Sequence, residues 1–535
     1  MKWVAVLLAG ALLQVPGSRP SPDGPPVVKL TTHLVQVNVI VRDKQGHPVT
    51  GLTKEDFTIL DNGKPQAVRF FSMETNRMDE VPSSPLPPEV YTNRLEQRGS
   101  VPTAITAVLF DGLNTRIQDQ IYARQQILKF LRQLKPNDRI AIYALGTRLR
   151  ILQDFTNDVN SLLKAIARHA YVGGQLDGSQ VEEPATGEEQ LDEFLREASE
   201  RAAAAYTTRR VEDTAQALTT IAHHMAGRPG RKNLIWVSGG FPILIGMDST
   251  GLSAERRTFS REIERVTRAV NQANLAIYPV DARGLIGMFD AMPSMDPSSP
   301  SMSRRAAINV NSRASAAIFN TQATMRDLAD RTGGRAFINS NDIAGALRNA
   351  VDDSQVTYNL SFSPDHMQWN GQFRQIKVKV RQSGLDVRYR KGYMALAPLE
   401  PVADQKTRVA EVTLAATSPL EATGLGLTVQ KLASSPHLSL QMLVDPRGVD
   451  FRPQEGRWAA GLDVMVAFRN NQGTVLETFS RTAGFNLRPE TYESVMKNGL
   501  NVSMQCDVKS GATRARVVVR DMATGQIGSV DVLLN

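Results

Sequence analysis

The side chains in this sequence that could do chemistry stand mostly where apolar runs break off. Asp111 follows the run Ile105 to Phe110 without a spacer, and Gly112, Leu113, Asn114 and Thr115 come next. A carboxylate that closes a buried strand needs amides, a helix N-terminus or a cation to offset its desolvation. Asn114 and Thr115 suit the N-cap of a following helix, and Thr156 or Asn157 the cap of a later one, each worth about 1 kcal/mol. Ser238 ends another run, Leu234 to Val237, where hydrolases place a nucleophile. Trp236-Val-Ser-Gly-Gly240 lacks the first glycine of Gly-x-Ser-x-Gly, however, and reads as a tight turn. His223 and His224 are adjacent rather than four apart, so they do not form a zinc helix. No Gly-x-x-x-x-Gly-Lys-Ser/Thr loop is present, and Gly424-Leu-Gly426 lacks its third glycine. The single cysteine, Cys506, excludes an intrachain disulfide and a cysteine-built metal site, and its alternating surroundings make it a small buried hydrophobe. The expectation is a protein that is not an enzyme; the remote alternative is a hydrolase using Ser238.

The elements that must position these groups read clearly in the middle of the chain. Ile105 to Phe110 is a short continuous apolar run, as in a parallel strand buried on both faces. A helix with a stripe at Ile117, Ile121, Leu128 and Leu131, widened by Ile127 and Leu134, follows. Arg139 to Leu145 predicts a second strand and Arg148 to Leu152 a short third one. Strands at Leu234 to Val237, Leu275 to Val280 and Arg335 to Ile338 alternate with helices to about residue 226 and at 254–273, 321–332 and 341–352. This spacing predicts an α/β domain with a doubly wound, mostly parallel sheet over 101–395, the strands after 356 forming a β appendage. Ligand sites in such sheets lie at the carboxyl ends of the strands. Alternation at Val35, Val37, Val39 and Val41 and the turn Asp61-Asn-Gly63 predict a small N-terminal β domain over 28–75. Prolines at 82, 85, 87 and 88 mark 76–100 as a linker. Short alternating strands with few helical periods over 403–535 predict a C-terminal β-sandwich.

The 535 residues carry a net charge of +8 with 22% charged residues. No dense Lys/Arg block or basic-aromatic interleaving appears, so nucleic acid is not an expected partner. Lys2 followed by the apolar run Trp3 to Leu13 and by Val15-Pro-Gly17 predicts a cleavable signal peptide over 1–17. No other segment is apolar and long enough to span a bilayer. The expected location is secreted or periplasmic.

Several stretches together resemble one family. Val41-Arg-Asp-Lys-Gln-Gly-His-Pro-Val-Thr-Gly-Leu-Thr-Lys-Glu-Asp-Phe57, Leu109-Phe-Asp-Gly-Leu-Asn-Thr115 and Leu152-Gln-Asp-Phe-Thr-Asn-Asp158 are three of them. Arg231-Lys-Asn-Leu-Ile-Trp-Val-Ser-Gly-Gly-Phe-Pro242, Ile277-Tyr-Pro-Val-Asp-Ala-Arg-Gly284 and Arg331-Thr-Gly-Gly334 complete the order. The layout resembles exported bacterial proteins with a von Willebrand factor type A domain, a Rossmann-like fold. The resemblance implies a metal-ion-dependent adhesion site, in which a hard divalent cation such as Mg²⁺ takes oxygen ligands and leaves a position for a partner's carboxylate. Carried over, Asp111 matches its first Asp, Thr115 its second Ser and Thr156 its second-loop Thr. Leu113 and Gly239 stand where further oxygen side chains belong, so the site is degenerate; Ser238, Asp248 and Asp281 are the possible accessories. The expected function is protein binding of the adhesion type, through loops at 111–116, 154–158, 238–251 and 281–316. The Met residues at 288, 292, 295 and 302 would offer an adaptable surface. The alternative is a structural envelope component with no ligand there.

Overall fold

The computed structural model describes residues 34–75, 78–79, 86–94, 101–102, 104–169, 188–228, 230–240, 265–285, 321–365, 369–370, 372–395, 404–433 and 437–534. The leader expected at 1–17, Asp248 and most of the Met-rich insertion lie outside these residues, as does much of the expected linker. No described helix is long and apolar enough to cross a membrane.

The central sheet is built on β1 (Ala104–Asp111), whose eight residues are all buried. Its neighbours are β2 (Ile140–Leu145), β3 (Leu149–Thr156), β4 (Arg231–Ser238) and β5 (Leu275–Asp281), in the order β3-β2-β1-β4-β5. β1 runs parallel to β2 and β4, and β4 to β5, while β3 is antiparallel at the edge. Phe337 adds a parallel bridge to Val280 beyond β5. The order 3-2-1-4-5 is that of a doubly wound sheet, and the strand expected at Arg335 to Ile338 is reduced to this one bridge. Alternate side chains of β1 supply the two faces, as a period of two requires. Ile105, Ala107 and Leu109 pack under α3 (Glu189–Ala226) through Leu218, Ile221 and Met225. Val108 and Phe110 pack under α1 (Ile117–Leu131), α2 (Val159–Arg168) and α4 (Ile343–Asp352).

Three sequence expectations need correction. The buried face of α1 is Gln120, Ala123, Ile127, Phe130 and Leu131, while Ile117 and Ile121 are exposed. The apolar period was legible, but its first two members lie beyond the ground the sheet covers. The third strand, expected to end at Leu152, runs on to Thr156 through two irregularities in its pairing with β2. Finally, the separate N-terminal β domain and the appendage of the central domain form one unit. Val35–Arg42 pairs with Val356–Phe362 and Asp386–Arg388, Val68–Thr75 pairs with Val356–Phe362, and Phe57–Asp61 pairs with Phe373–Val380. Their apolar faces share a core of Val37, Val39, Ile59, Tyr358, Leu360 and Phe362. Neither segment could bury its apolar alternation alone, and a single sequence shows alternation without showing its partner.

The C-terminal region is a two-sheet β structure over Leu427–Ala433, His437–Val444 and Leu500–Asp507 on one side. Arg457–Arg469, Val475–Leu487, Arg514–Asp521 and Ile527–Leu533 form the other. Helices Gln405–Thr417 and Pro489–Asn498 accompany them. Val90–Thr92, from the stretch expected to be linker, adds an edge strand to Leu427–Ala433. Cys506 is 7% exposed within this core, and burial, then Asp507, push its thiol up to about 11.

Candidate functional site

The register of the central sheet brings three of the expected residues to one end. Val237 lies beside Phe110 and Ser238 beside Asp281, so Asp111, Ser238 and Asp281 end adjacent strands. Asp111 is wholly buried. Its Oδ1 accepts the Asn114 backbone N–H at 3.0 Å. Its Oδ2 accepts Asn114 Nδ2 at 2.8 Å and Trp236 Nε1 at 2.9 Å, with Ser238 Oγ at 2.9 Å. Burial raises the carboxyl above its ordinary range, and the donors from Asn114, Trp236 and Ser238 pull it back in part. Ser238 Oγ also lies 2.6 Å from the Gly240 carbonyl oxygen, so its single proton serves two acceptors.

The loops that follow are locked onto this carboxylate. Asn114 Nδ2 donates to Thr214 Oγ1 on α3 at 3.0 Å, and the Gly239 N–H donates to Thr115 Oγ1 at 2.9 Å. A Cβ on Gly239 or Gly240 would meet the Asn114 carbonyl oxygen at 3.3 Å, which explains the paired glycines at this turn. Arg210, half-buried on α3, donates from Nε and Nη2 to Asn114 Oδ1 at 3.1 and 2.9 Å. Asp281 is held by Arg283, which donates from Nε and Nη2 to its two oxygens, each at 2.8 Å.

Thr156 is not part of this constellation. It pairs with Ile140, which lies beside Thr106, whereas Asp111 lies beside Leu145. Five residues of strand, roughly 16 Å, separate the two levels. The expected loop at 154–158 therefore belongs to the opposite end of the sheet, because β3 continues as strand and carries it away. Thr156 Oγ1 accepts the Asp158 N–H at 3.0 Å, and it is Asp158 that caps α2 by accepting the Asn160 N–H at 3.0 Å. Nor do Asn114 and Thr115 cap α1: its N-cap is Arg116, with no side-chain cap bond.

These residues do not fit a bound Mg²⁺. Asp111 Oδ2 already meets three donors, the Thr115 hydroxyl is taken by a backbone amide, Leu113 packs into the core and Thr156 is at the far end. Among the described residues no group of three or more His, Cys, Asp and Glu could hold a metal. Sequence reasoning missed Trp236, Thr214 and Arg210. Trp236 sits two residues before Ser238 on the same buried strand, which was a usable signal; Arg210 acts across 96 positions and left none.

No family model matches the sequence, and no curated protein matches it. Among solved structures the chain is similar to an aerotolerance-related membrane protein from Bacteroides fragilis, at 11% identity and a TM-score of 0.24, over 47% of this chain and 98% of that one. It is similar to BatB from Bacteroides thetaiotaomicron at 11% identity and a TM-score of 0.22, over 47% and 97%. The SpRpn10 VWA domain matches at 14% identity and a TM-score of 0.17, over 33% and 73%. At these values the likeness carries no site across, and the strand order alone defines the fold.

Proposed function

We propose that this chain is an exported, non-enzymatic binding protein that engages a protein partner through a von Willebrand factor type A-like domain, without a metal ion. The observation that carries this reading is the Asp111 network, which fixes the 111–116 and 238–240 loops and α3 into one rim at the strand carboxyl ends. A rim held rigid by buried hydrogen bonds is a preorganised contact surface. Catalysis has less support: the Ser238 hydroxyl is fully buried and hydrogen-bonds a carboxylate, a backbone carbonyl and a backbone amide, with no imidazole bonded to it among the described residues. The same closure of the network also fits a structural envelope component.

Capture from envelope extract with and without chelator, using wild type and Leu285→Glu, tests the reading. Leu285 is 58% exposed, four residues beyond the end of β5, with its N–H donated to Asn341 Oδ1. The expected result is a partner retained in chelator and lost from the variant. A partner that needs divalent cation would overturn the metal-free site, and no rim-dependent partner would leave the structural reading.

A further inference from the structure

We propose that Arg210 is the ligand-contacting group of this rim, a built-in cation that receives a carboxylate from an acidic segment of the partner. The inference rests on the rim being the binding face. Arg210 spends one edge of its guanidinium, Nε and Nη2, on a neutral amide oxygen, Asn114 Oδ1. Its Tyr206 ring contact, at 5.9 Å, is likewise uncharged. Among the described residues no carboxylate pairs with it, and Nη1 has no partner. Arg283, half-buried just beyond the end of β5, is by contrast matched by Asp281.

The geometry holds the free edge ready. Asn114 is fixed by Asp111 and Thr214, so the guanidinium is anchored through a buried side chain rather than left to swing. A Cβ at Gly240 would lie 3.9 Å from Nη2, an ordinary contact distance, so the 238–240 turn passes close beside the guanidinium. A planar fork with two parallel donors matches a carboxylate in a bidentate pair.

The test is fluorescence anisotropy of a fluorescein-labelled Asp/Glu-Gly repeat peptide with the full chain, its Asn/Gln-Gly isostere serving as control. Wild type should bind the acidic peptide and not the isostere, equally in EDTA and in Mg²⁺. Arg210→Gln should weaken binding about tenfold or more, Arg210→Lys should restore part of it, and Arg210→Glu should transfer the preference to a Lys-Gly peptide. Thermal melts of each variant confirm folding. Equal binding by Arg210→Gln, or binding lost in EDTA, overturns the proposal; displacement by inorganic phosphate at lower concentration than by glutamate overturns the carboxylate assignment. If no acidic peptide binds while the envelope partner is still captured at the rim, this inference falls and the binding reading stands.

Discussion

At the scale of single residues, two terms compete at Asp111. Its raised folded-state pKa means that ionisation within the fold is costly, a contribution present below the unfolded value and lost as pH rises through the folded one. Against this, Asp111→Ala takes the acceptor seen here from Trp236 Nε1 and the Asn114 N–H, and one of two acceptors from Asn114 Nδ2 and the Ser238 hydroxyl, which keep Thr214 Oγ1 and the Gly240 carbonyl. Orphaned buried donors cost about 1–3 kcal/mol each, so the second term wins. Asp111→Ala should lose about 3 kcal/mol in urea unfolding, and wild type should show the same midpoint in Mg²⁺ and in EDTA. A midpoint that rises with Mg²⁺ would restore the cation site. His223 carries the pH prediction. Burial first, then the charges of Arg265 and Arg520, hold its pKa down to about 4. The folded state therefore binds this proton less readily than the unfolded chain, and stability falls as pH drops from the unfolded value near 6.5 towards 4. His223→Gln should flatten that limb of the stability–pH curve; an unchanged slope refutes the assignment. The two residues differ in how far they could be read from sequence. Asp111 was legible because an apolar run ends on it, whereas the partner that gives it meaning, Arg210 through Asn114, sits on a helix whose spacing says nothing about strand ends.

At the scale of elements, β3 decides which loops meet. Residues 148–152 looked like a short strand because Leu149 and Ile151 alternate, and the reading stopped at Gln153-Asp154. The chain instead passes its irregularities and stays paired to Thr156. Polar residues on an edge strand cost nothing on the solvent side, so composition concealed the continuation. That one extension moves 154–158 from the presumed site to the opposite end, where Asp158 starts α2 and also accepts the Ser161 hydroxyl. Asp158→Ala should destabilise by about 1 kcal/mol in urea melts, the usual worth of an N-cap. It should leave rim binding untouched; reduced partner capture by this variant would return the loop to the site. The central strands were easier. Continuous apolar runs in β1, β4 and β5 specify burial on both faces.

At the scale of the molecule, the central domain is inserted into the β unit that precedes and follows it in sequence. Val35–Arg42 and Val356–Phe362 are neighbours in one sheet although the whole doubly wound domain lies between them. Sequence showed both sets of alternation but could not show that they complete each other, since strand pairing across such a separation leaves no local trace. The join is electrostatic as well as apolar. Asp353, 2% exposed at the end of α4, accepts Arg42 Nη2 at 2.8 Å from one strand of the β unit. Arg388 donates to both its oxygens, at 2.6 and 2.9 Å, from another. One carboxylate thus ties the last helix of the inserted domain to the strands on either side of it in the chain. Removing the carboxylate takes Arg42 out of its ion pair and leaves Arg388 with Asp386 alone, and the desolvation of the two partly buried guanidiniums is then poorly offset. Asp353→Ala should cost about 3 kcal/mol, and it should do so unevenly. With the tie cut, the β unit should unfold at lower urea than the central domain, separating the two transitions further than in wild type. Limited proteolysis should then cut between residues 353 and 395 first. An unchanged midpoint with no further separation would show that the shared apolar core, not the Arg42–Asp353–Arg388 cluster, couples the two units.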